Sequence, residues 1–398
     1  MEKKGRIGIP RALMFYRYFP FWKVFFEALR WEVVVSDGVG RKGKIIYFED
    51  SCLPMKLLVT HAGRLADEAD HLFIPRLVSL HSKFILCPKF RAAPDIVRLA
   101  IEKKISILDE TIDFRTREHS LQKAFLKIGE KLGASQKECR EAFAEAGQAL
   151  AAFQEGWIDR INRLPTRDFF DLDVPTPASS VGRLPRKSVH GSTSSPRTDI
   201  EILPFDNSPI RRQPFAPPFA LSLSKGERFA QDGLVEGRTD MVPERKETPL
   251  RVAFIGHPYN LFDTDVNKDV IGLAKQLGME ILTSDLFSEK MIEQEISDLS
   301  KEIYWSSGRE IIGSLFRFLS GGVDGVVFVT SFKCGIDALL QEFAKRTLRL
   351  RGGSIARLLV LSFDEHTGRE GLTTRLEAFK DVMMTQRRGR PVCLPNGV

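Results

Sequence analysis

Gly325-Val-Val-Phe-Val-Thr-Ser-Phe-Lys-Cys-Gly-Ile-Asp-Ala-Leu-Leu-Gln-Glu-Phe-Ala-Lys345 decides the fold. Gly325–Thr330 is a short apolar run rich in β-branched residues, which reads as a buried strand. Thr330–Gly335 is a loop carrying Cys334, and Ile336–Lys345 reads as a helix. Strand, loop and helix in that order form the unit of a parallel sheet with helices on its faces. The unit repeats outward. Strands are expected at Val252–Ile255, Glu280–Thr283 and 356–363, with helices at Lys268–Leu277, Met291–Leu299, Arg309–Leu319 and Leu372–Met384.

The N-terminal part reads the same way. Strands are expected at Arg6–Ile9, Glu32–Ser36, 44–48, His71–Pro75 and Ile105–Leu108. Helices are expected at Phe19–Leu29, Leu53–Ala66 and Pro94–Lys103, with a long helical stretch from Leu121 to about Ile161. The two regions open alike, Ile7-Gly-Ile-Pro10 against Phe254-Ile-Gly-His-Pro258. The expected fold is therefore α/β: two doubly wound, Rossmann-like parallel-sheet domains with a cleft between them, where ligands sit beyond the carboxyl ends of strands.

Between the regions the pattern fails. Residues 165–250 hold 12 of the chain's 21 prolines, are dense in Ser, Thr, Arg and Asp, and keep no period. Prolines at that density remove backbone donors and break helices and sheets alike. The division expected is an α/β domain with a helical extension over 1–164, a disordered low-complexity insertion over 165–250 and a second α/β domain over 251–398.

The 398 residues carry a net charge of +7, a mild excess for this length. No basic cluster is interleaved with aromatics, which argues against nucleic acid as partner. No apolar run reaches the length of a membrane span or a signal peptide, so no membrane role and a cytoplasmic location are expected.

Five cysteines are present: Cys52, Cys87, Cys139, Cys334 and Cys393. An odd count in a reducing compartment argues against disulfides. Cys52 (Glu49-Asp-Ser-Cys-Leu-Pro54), Cys87 (Ile85-Leu-Cys-Pro-Lys-Phe90) and Cys334 each follow an expected strand and precede a helix, near N-terminal amides that stabilise thiolates. Their wide spacing is unlike a compact ferredoxin run. From the residues alone they read either as metal ligands or as ordinary loop and core thiols. Cys139 reads as a plain helix residue and Cys393 as incidental.

Other signals are weaker. Gly38-Val-Gly-Arg-Lys-Gly-Lys44 resembles a phosphate loop, but Ile45 stands where Ser or Thr is needed and a strand follows, so no ATP site is expected in this chain. His257 and His366 each follow a strand and suit either proton transfer or a turn. Glu49, Asp50, Asp364 and Glu365 are acids that line the same cleft or simply sit in solvated loops. His257, His366 and Glu365 are the catalytic candidates.

Several motifs together carry a resemblance. Ile7-Gly-Ile-Pro-Arg-Ala-Leu-Met-Phe-Tyr16, Phe19-Pro-Phe-Trp22, Asp50-Ser-Cys-Leu-Pro-Met-Lys56, Phe73-Ile-Pro-Arg-Leu-Val-Ser79 and Cys87-Pro-Lys-Phe90 resemble the uncharacterised domain attached to CoA-enzyme activases. So do Gly256-His-Pro-Tyr-Asn260, Tyr304-Trp-Ser-Ser-Gly308, Thr330-Ser-Phe-Lys-Cys-Gly335 and the run from Asp364 to Phe379. The resemblance covers roughly residues 5–110 and 250–385. It is similar in turn to subunits of 2-hydroxyacyl-CoA dehydratases, benzoyl-CoA reductases and double-cubane-cluster proteins. Such likeness implies an iron–sulfur cluster, of 4Fe-4S or double-cubane type, on Cys52, Cys87 and Cys334, with one iron left open. It implies an ATP-dependent activase as electron donor, a CoA thioester or other small molecule as substrate, and a homo- or heterodimer. The enzyme class implied is lyase or oxidoreductase. Two other readings stand beside it: a non-catalytic electron relay or activase-docking module, and a degenerate protein without a cluster.

Overall fold

The structure is a computed structural model that describes residues 2–37, 51–163, 248–284, 287–299, 301–350 and 357–388. The expected strand at 44–48, the basic turn at 38–44, Glu49, Asp50, the insertion as far as residue 247, and Cys393 lie outside the described residues.

The first half runs β1 (Arg6–Ile9), α1 (Phe15–Ala28), β2 (Glu32–Val35), α2 (Leu53–Leu65), β3 (His71–Phe73), β4 (Arg76–Ser79), α3 (Pro88–Ala100), β5 (Ser106–Leu108) and β6 (Thr111–Asp113). Three helices follow: α4 (Leu121–Lys131), α5 (Gln136–Glu155) and α6 (Trp157–Arg163). The second half runs β7 (Leu250–Gly256), α7 (Pro258–Phe262), α8 (Thr264–Asn267), α9 (Val270–Gln276), β8 (Met279–Thr283), α10 (Glu289–Ile296), α11 (Ser306–Ser320), β9 (Gly325–Ser331), α12 (Gly335–Leu350), β10 (Leu358–Phe363) and α13 (Arg369–Arg387).

Both four-stranded sheets are parallel throughout, as expected of the α/β pattern. Their orders are β2-β1-β3-β5 and β8-β7-β9-β10. The short pair β4–β6 extends β3 and β5, because the register Phe73↔Leu108 carries on as Arg76↔Thr111. With that pair set aside, both sheets share one order: second, first, third, fourth. In each, the chain steps outward from its first strand and then crosses back to the other side. The switch point therefore lies between β1 and β3 in one half and between β7 and β9 in the other, where doubly wound sheets leave a crevice.

Several boundaries differ from expectation for local reasons. α1 begins at Phe15 and keeps Pro20 inside it. α3 begins at Pro88, with Cys87 as N-cap, and keeps Pro94 inside it. Proline favours the first turn, where its missing N–H leaves no bond unmade; of these three prolines, Pro88 takes that place. The stretch 121–161 is not one helix. Gly133, at φ 73°, and Gly156 separate α4, α5 and α6, and Ser135 opens α5 with a capping box to Glu138.

One apolar core runs through both halves, from Ile7 and Phe26 to Val329 and Phe379; a smaller one lies under α11 and α12. Its densest part is aromatic: Phe21 and Phe25 meet Phe125 edge to face, and Phe26 meets Phe73 likewise. At the edge of the second sheet, the Asn162 amide donates to Ile281 O and accepts from Ile281 N, each at 3.2 Å, so α6 closes an otherwise open strand. No helix among the described residues is long and apolar enough to cross a membrane.

Candidate functional site

Cys52, Cys87 and His257 occupy the N-cap positions of α2, α3 and α7, with a proline at the first or second helical position of each. Cys334 immediately precedes α12, and its carbonyl accepts the first helical bond, from Ala338 N. Extended φ/ψ followed by proline is what starts a helix cleanly. Four chemically active side chains therefore stand at helix N-termini, beside unsatisfied N–H groups and a positive dipole end.

The two halves bring these ends together. His257 follows β7 and Cys334 follows β9, so both sit at the switch point of the second sheet. The segment before Cys87 is sewn to the second half by a parallel bridge between Ile85 and Trp305 and by Ser306 N donating to Ile85 O at 3.0 Å. Phe90 packs against Tyr259, with ring centroids 6.0 Å apart. Behind Cys52, buried Lys56 pairs with Glu365 of the second half at 2.8 Å. Cys52 is buried, while Cys87 and Cys334 are half-buried.

The thiols feel one another. Burial pushes Cys334 far above the ordinary thiol range, and neighbouring Asp337, Cys52 and Cys87 push it the same way. Burial also raises Cys52, against the pull of the Lys89 ammonium, whose Nζ lies 3.9 Å from the sulfur. Cys87 is raised by burial, with Lys89 again opposing. The backbone amides of Met55, Lys89 and Asp337, each in the first turn of the helix that its thiol opens, favour the thiolates. Tyr259 is driven well above the ordinary phenol range by burial and then by Asp337 and the same three cysteines, so its hydroxyl stays protonated beside them.

Asp337 was not among the expected site residues. It is almost wholly buried, in the first turn of α12 three residues after Cys334. Its Oδ2 accepts from Asn260 Nδ2 and from Ser331 N, each at 3.1 Å. Its Oδ1 lies 2.9 Å from His257 Nε2, yet the ring is not aligned to donate, and among the described residues neither that oxygen nor either nitrogen of His257 has a hydrogen-bond partner. The His257 ring stacks on Tyr259 at 4.8 Å and 10°. One ligand atom each from His257, Cys334 and Asp337 lie within 4.8 Å of one another. The Cys-Gly-Ile-Asp spacing held the signal: a residue three places past an N-cap faces back toward it.

The remaining candidates separate. His366 is exposed, in a turn where its N–H and the Thr367 hydroxyl both donate to Asp364 Oδ1, at 3.0 and 2.7 Å. Glu365 reaches Lys56; although burial disfavours its charge, the Lys56 bond and neighbouring dipoles hold its carboxyl low. Cys139 is fully buried in α5 against Gly129, with its thiol 3.9 Å from the Ala134 carbonyl.

No curated protein matches the chain. Residues 6–167, which hold the first sheet and the helices opened by Cys52 and Cys87, match the family model of the CoA enzyme activase uncharacterised domain.

Proposed function

We propose that this chain is an iron–sulfur protein that takes low-potential electrons from a separate ATP-dependent activase and delivers them to a CoA thioester or another small molecule. The observation that carries the reading is the gathering of Cys52, Cys87 and Cys334 at three helix N-termini from two halves. The donor set fits: three thiols for thiophilic iron, first-turn amides favouring the thiolates, and a half-buried setting that limits water. A cluster on three thiolates would supply low-potential electron transfer and one open iron.

The chain's own groups do the rest. Lys89 offsets negative charge at Cys52, and Tyr259 keeps a proton beside all three thiols. The Lys56–Glu365 pair and the Ile85–Trp305 bridge fix the two N-terminal ligand loops on the second half. Phe332 and Leu339, two places before and five places after Cys334 in the chain, have more than half their surface in solvent, 57% and 55%. Apolar side chains exposed beside a redox site suit the approach of a protein donor. That pair also favours the second reading, an electron relay that docks an activase without turning over substrate itself.

The test is reduction of the anaerobically reconstituted protein by an activase with ATP, followed as bleaching of the cluster's visible absorption. ATP-dependent bleaching is expected. A cluster that dithionite reduces and the activase with ATP does not would remove the electron-acceptor role. Substrate turnover then separates enzyme from relay.

A further inference from the structure

We infer that His257, Cys334 and Asp337 form a binding site for a single divalent ion of the zinc class, which shares Cys334 with the thiol triad and needs neither Cys52 nor Cys87. Geometry comes first. The three donor atoms lie within 4.8 Å of one another, with His257 Nε2 and Asp337 Oδ1 2.9 Å apart. Donors around one tetrahedral ion, bound at about 2.0–2.3 Å, stand roughly 3.3–3.8 Å apart.

The second observation is that these atoms have nothing else to bind. His257 is 2% exposed and Asp337 1%, and His257 Nδ1, His257 Nε2 and Asp337 Oδ1 have no hydrogen-bond partner among the described residues. Buried polar atoms are almost always paired, so His257 Nε2 and Asp337 Oδ1, facing each other with no hydrogen bond made, mark the place of a shared ligand. Supporting groups hold the carboxylate and the ring plane. Asn260 Nδ2 and Ser331 N hold Asp337 Oδ2 and leave Oδ1 facing inward, Ser331 Oγ in turn bonds Asn260 Oδ1 at 2.7 Å, and Tyr259 fixes the imidazole plane.

Imidazole, thiolate and one carboxylate suit zinc, cobalt or ferrous iron and not magnesium or calcium, which want oxygen alone. Three protein donors leave a fourth position for water or an anionic oxygen, the arrangement of reactive rather than structural zinc. Because Cys334 belongs to both donor sets, the ion and a three-thiol cluster are alternative occupants.

The experiment is anaerobic titration of the full-length protein with Co2+, read by thiolate-to-cobalt charge transfer and d–d absorption. A tetrahedral spectrum with one thiolate is expected. The Cys52→Ser/Cys87→Ser double variant should keep it, and Cys334→Ser should lose the charge-transfer band. Asp337→Asn and His257→Gln, each checked by circular dichroism, should weaken binding more than about 100-fold, beyond the loss of an outer partner. Cobalt binding that survives both of these variants unchanged, or that vanishes with Cys52 and Cys87, overturns the inference. The outcome is independent of the cluster reading, which fails or stands on iron and sulfide in the wild type.

Discussion

At the residue scale, Gly256 shows how tightly the switch point is built. It ends β7 at φ 151°, and a Cβ there would stand 2.5 Å from the Val329 carbonyl oxygen of β9. The neighbour is backbone and cannot swing aside. Gly256→Ala should therefore lower stability by roughly 3 kcal/mol, seen as a drop in the urea midpoint with unchanged slope. A second residue pair bears on pH. Burial, and then Asp265, raise buried Asp263 from 3.8 to about 7, while burial lowers His61 from 6.5 to about 4. The stability that Asp263 contributes is full below pH 3.8 and lost as pH rises to about 7. That of His61 is full above pH 6.5 and lost as pH falls to about 4. The slopes oppose each other over pH 4–6.5. Relative to wild type, Asp263→Asn should tilt the stability–pH curve upward with pH across that window and His61→Gln should tilt it downward, by at most about 1.4 kcal/mol per pH unit. Denaturant melts at four pH values would show parallel curves if either assignment is wrong. The cysteines and His257 were legible as single residues, because strand-loop-helix punctuation marks helix starts. Asp337 was not, because an acid in the first turn of a helix is usually a solvated dipole partner.

At the element scale, the ligand-bearing loops depend on contacts between halves that no local pattern encodes. α2 carries Lys56, with a side chain 2% exposed, whose Nζ meets Glu365 in the turn after β10. Arg17 of α1 meets Glu310 of α11 at 2.8 Å, and the Arg309 guanidinium lies 3.9 Å from the centre of the Phe84 ring. Removing one partner of a buried pair leaves the other charge in the protein interior. Glu365→Ala should thus cost about 3 kcal/mol, and Lys56→Met distinctly less, since Glu365 retains access to water. Equal losses in the two variants by thermal denaturation would show that the pair is not what anchors α2. The element types were readable from apolar runs and proline. The extension β4–β6 and the helices α7 and α8 were not, being three to five residues long and set by pairing across the fold.

At the scale of the whole molecule, the shared strand order of the two sheets is the physical content of the likeness between Ile7-Gly-Ile-Pro10 and Phe254-Ile-Gly-His-Pro258. Each opening ends the strand beside its switch point. The doubling was visible in sequence; the common core that joins the halves was not, since it rests on contacts between residues far apart in the chain. Burial keeps Cys52, Cys87 and Cys334 protonated at neutral pH when they hold no metal. Metal loading must release those protons, so loading should strengthen as pH rises, and a pH-stat during reconstitution should record acid release. Loading that is indifferent to pH between 6 and 9, values set by the thiol range, would contradict the thiolate assignment.

The most direct measurement is anaerobic iron and sulfide analysis with EPR after reduction, on the wild type and on single Cys→Ala variants. The account predicts iron and sulfide in equal amounts in the wild type and in Cys139→Ala, and loss of most of both in Cys52→Ala, Cys87→Ala and Cys334→Ala. Near-zero iron in the reconstituted wild type, or loss in Cys139→Ala with retention in Cys334→Ala, would contradict it.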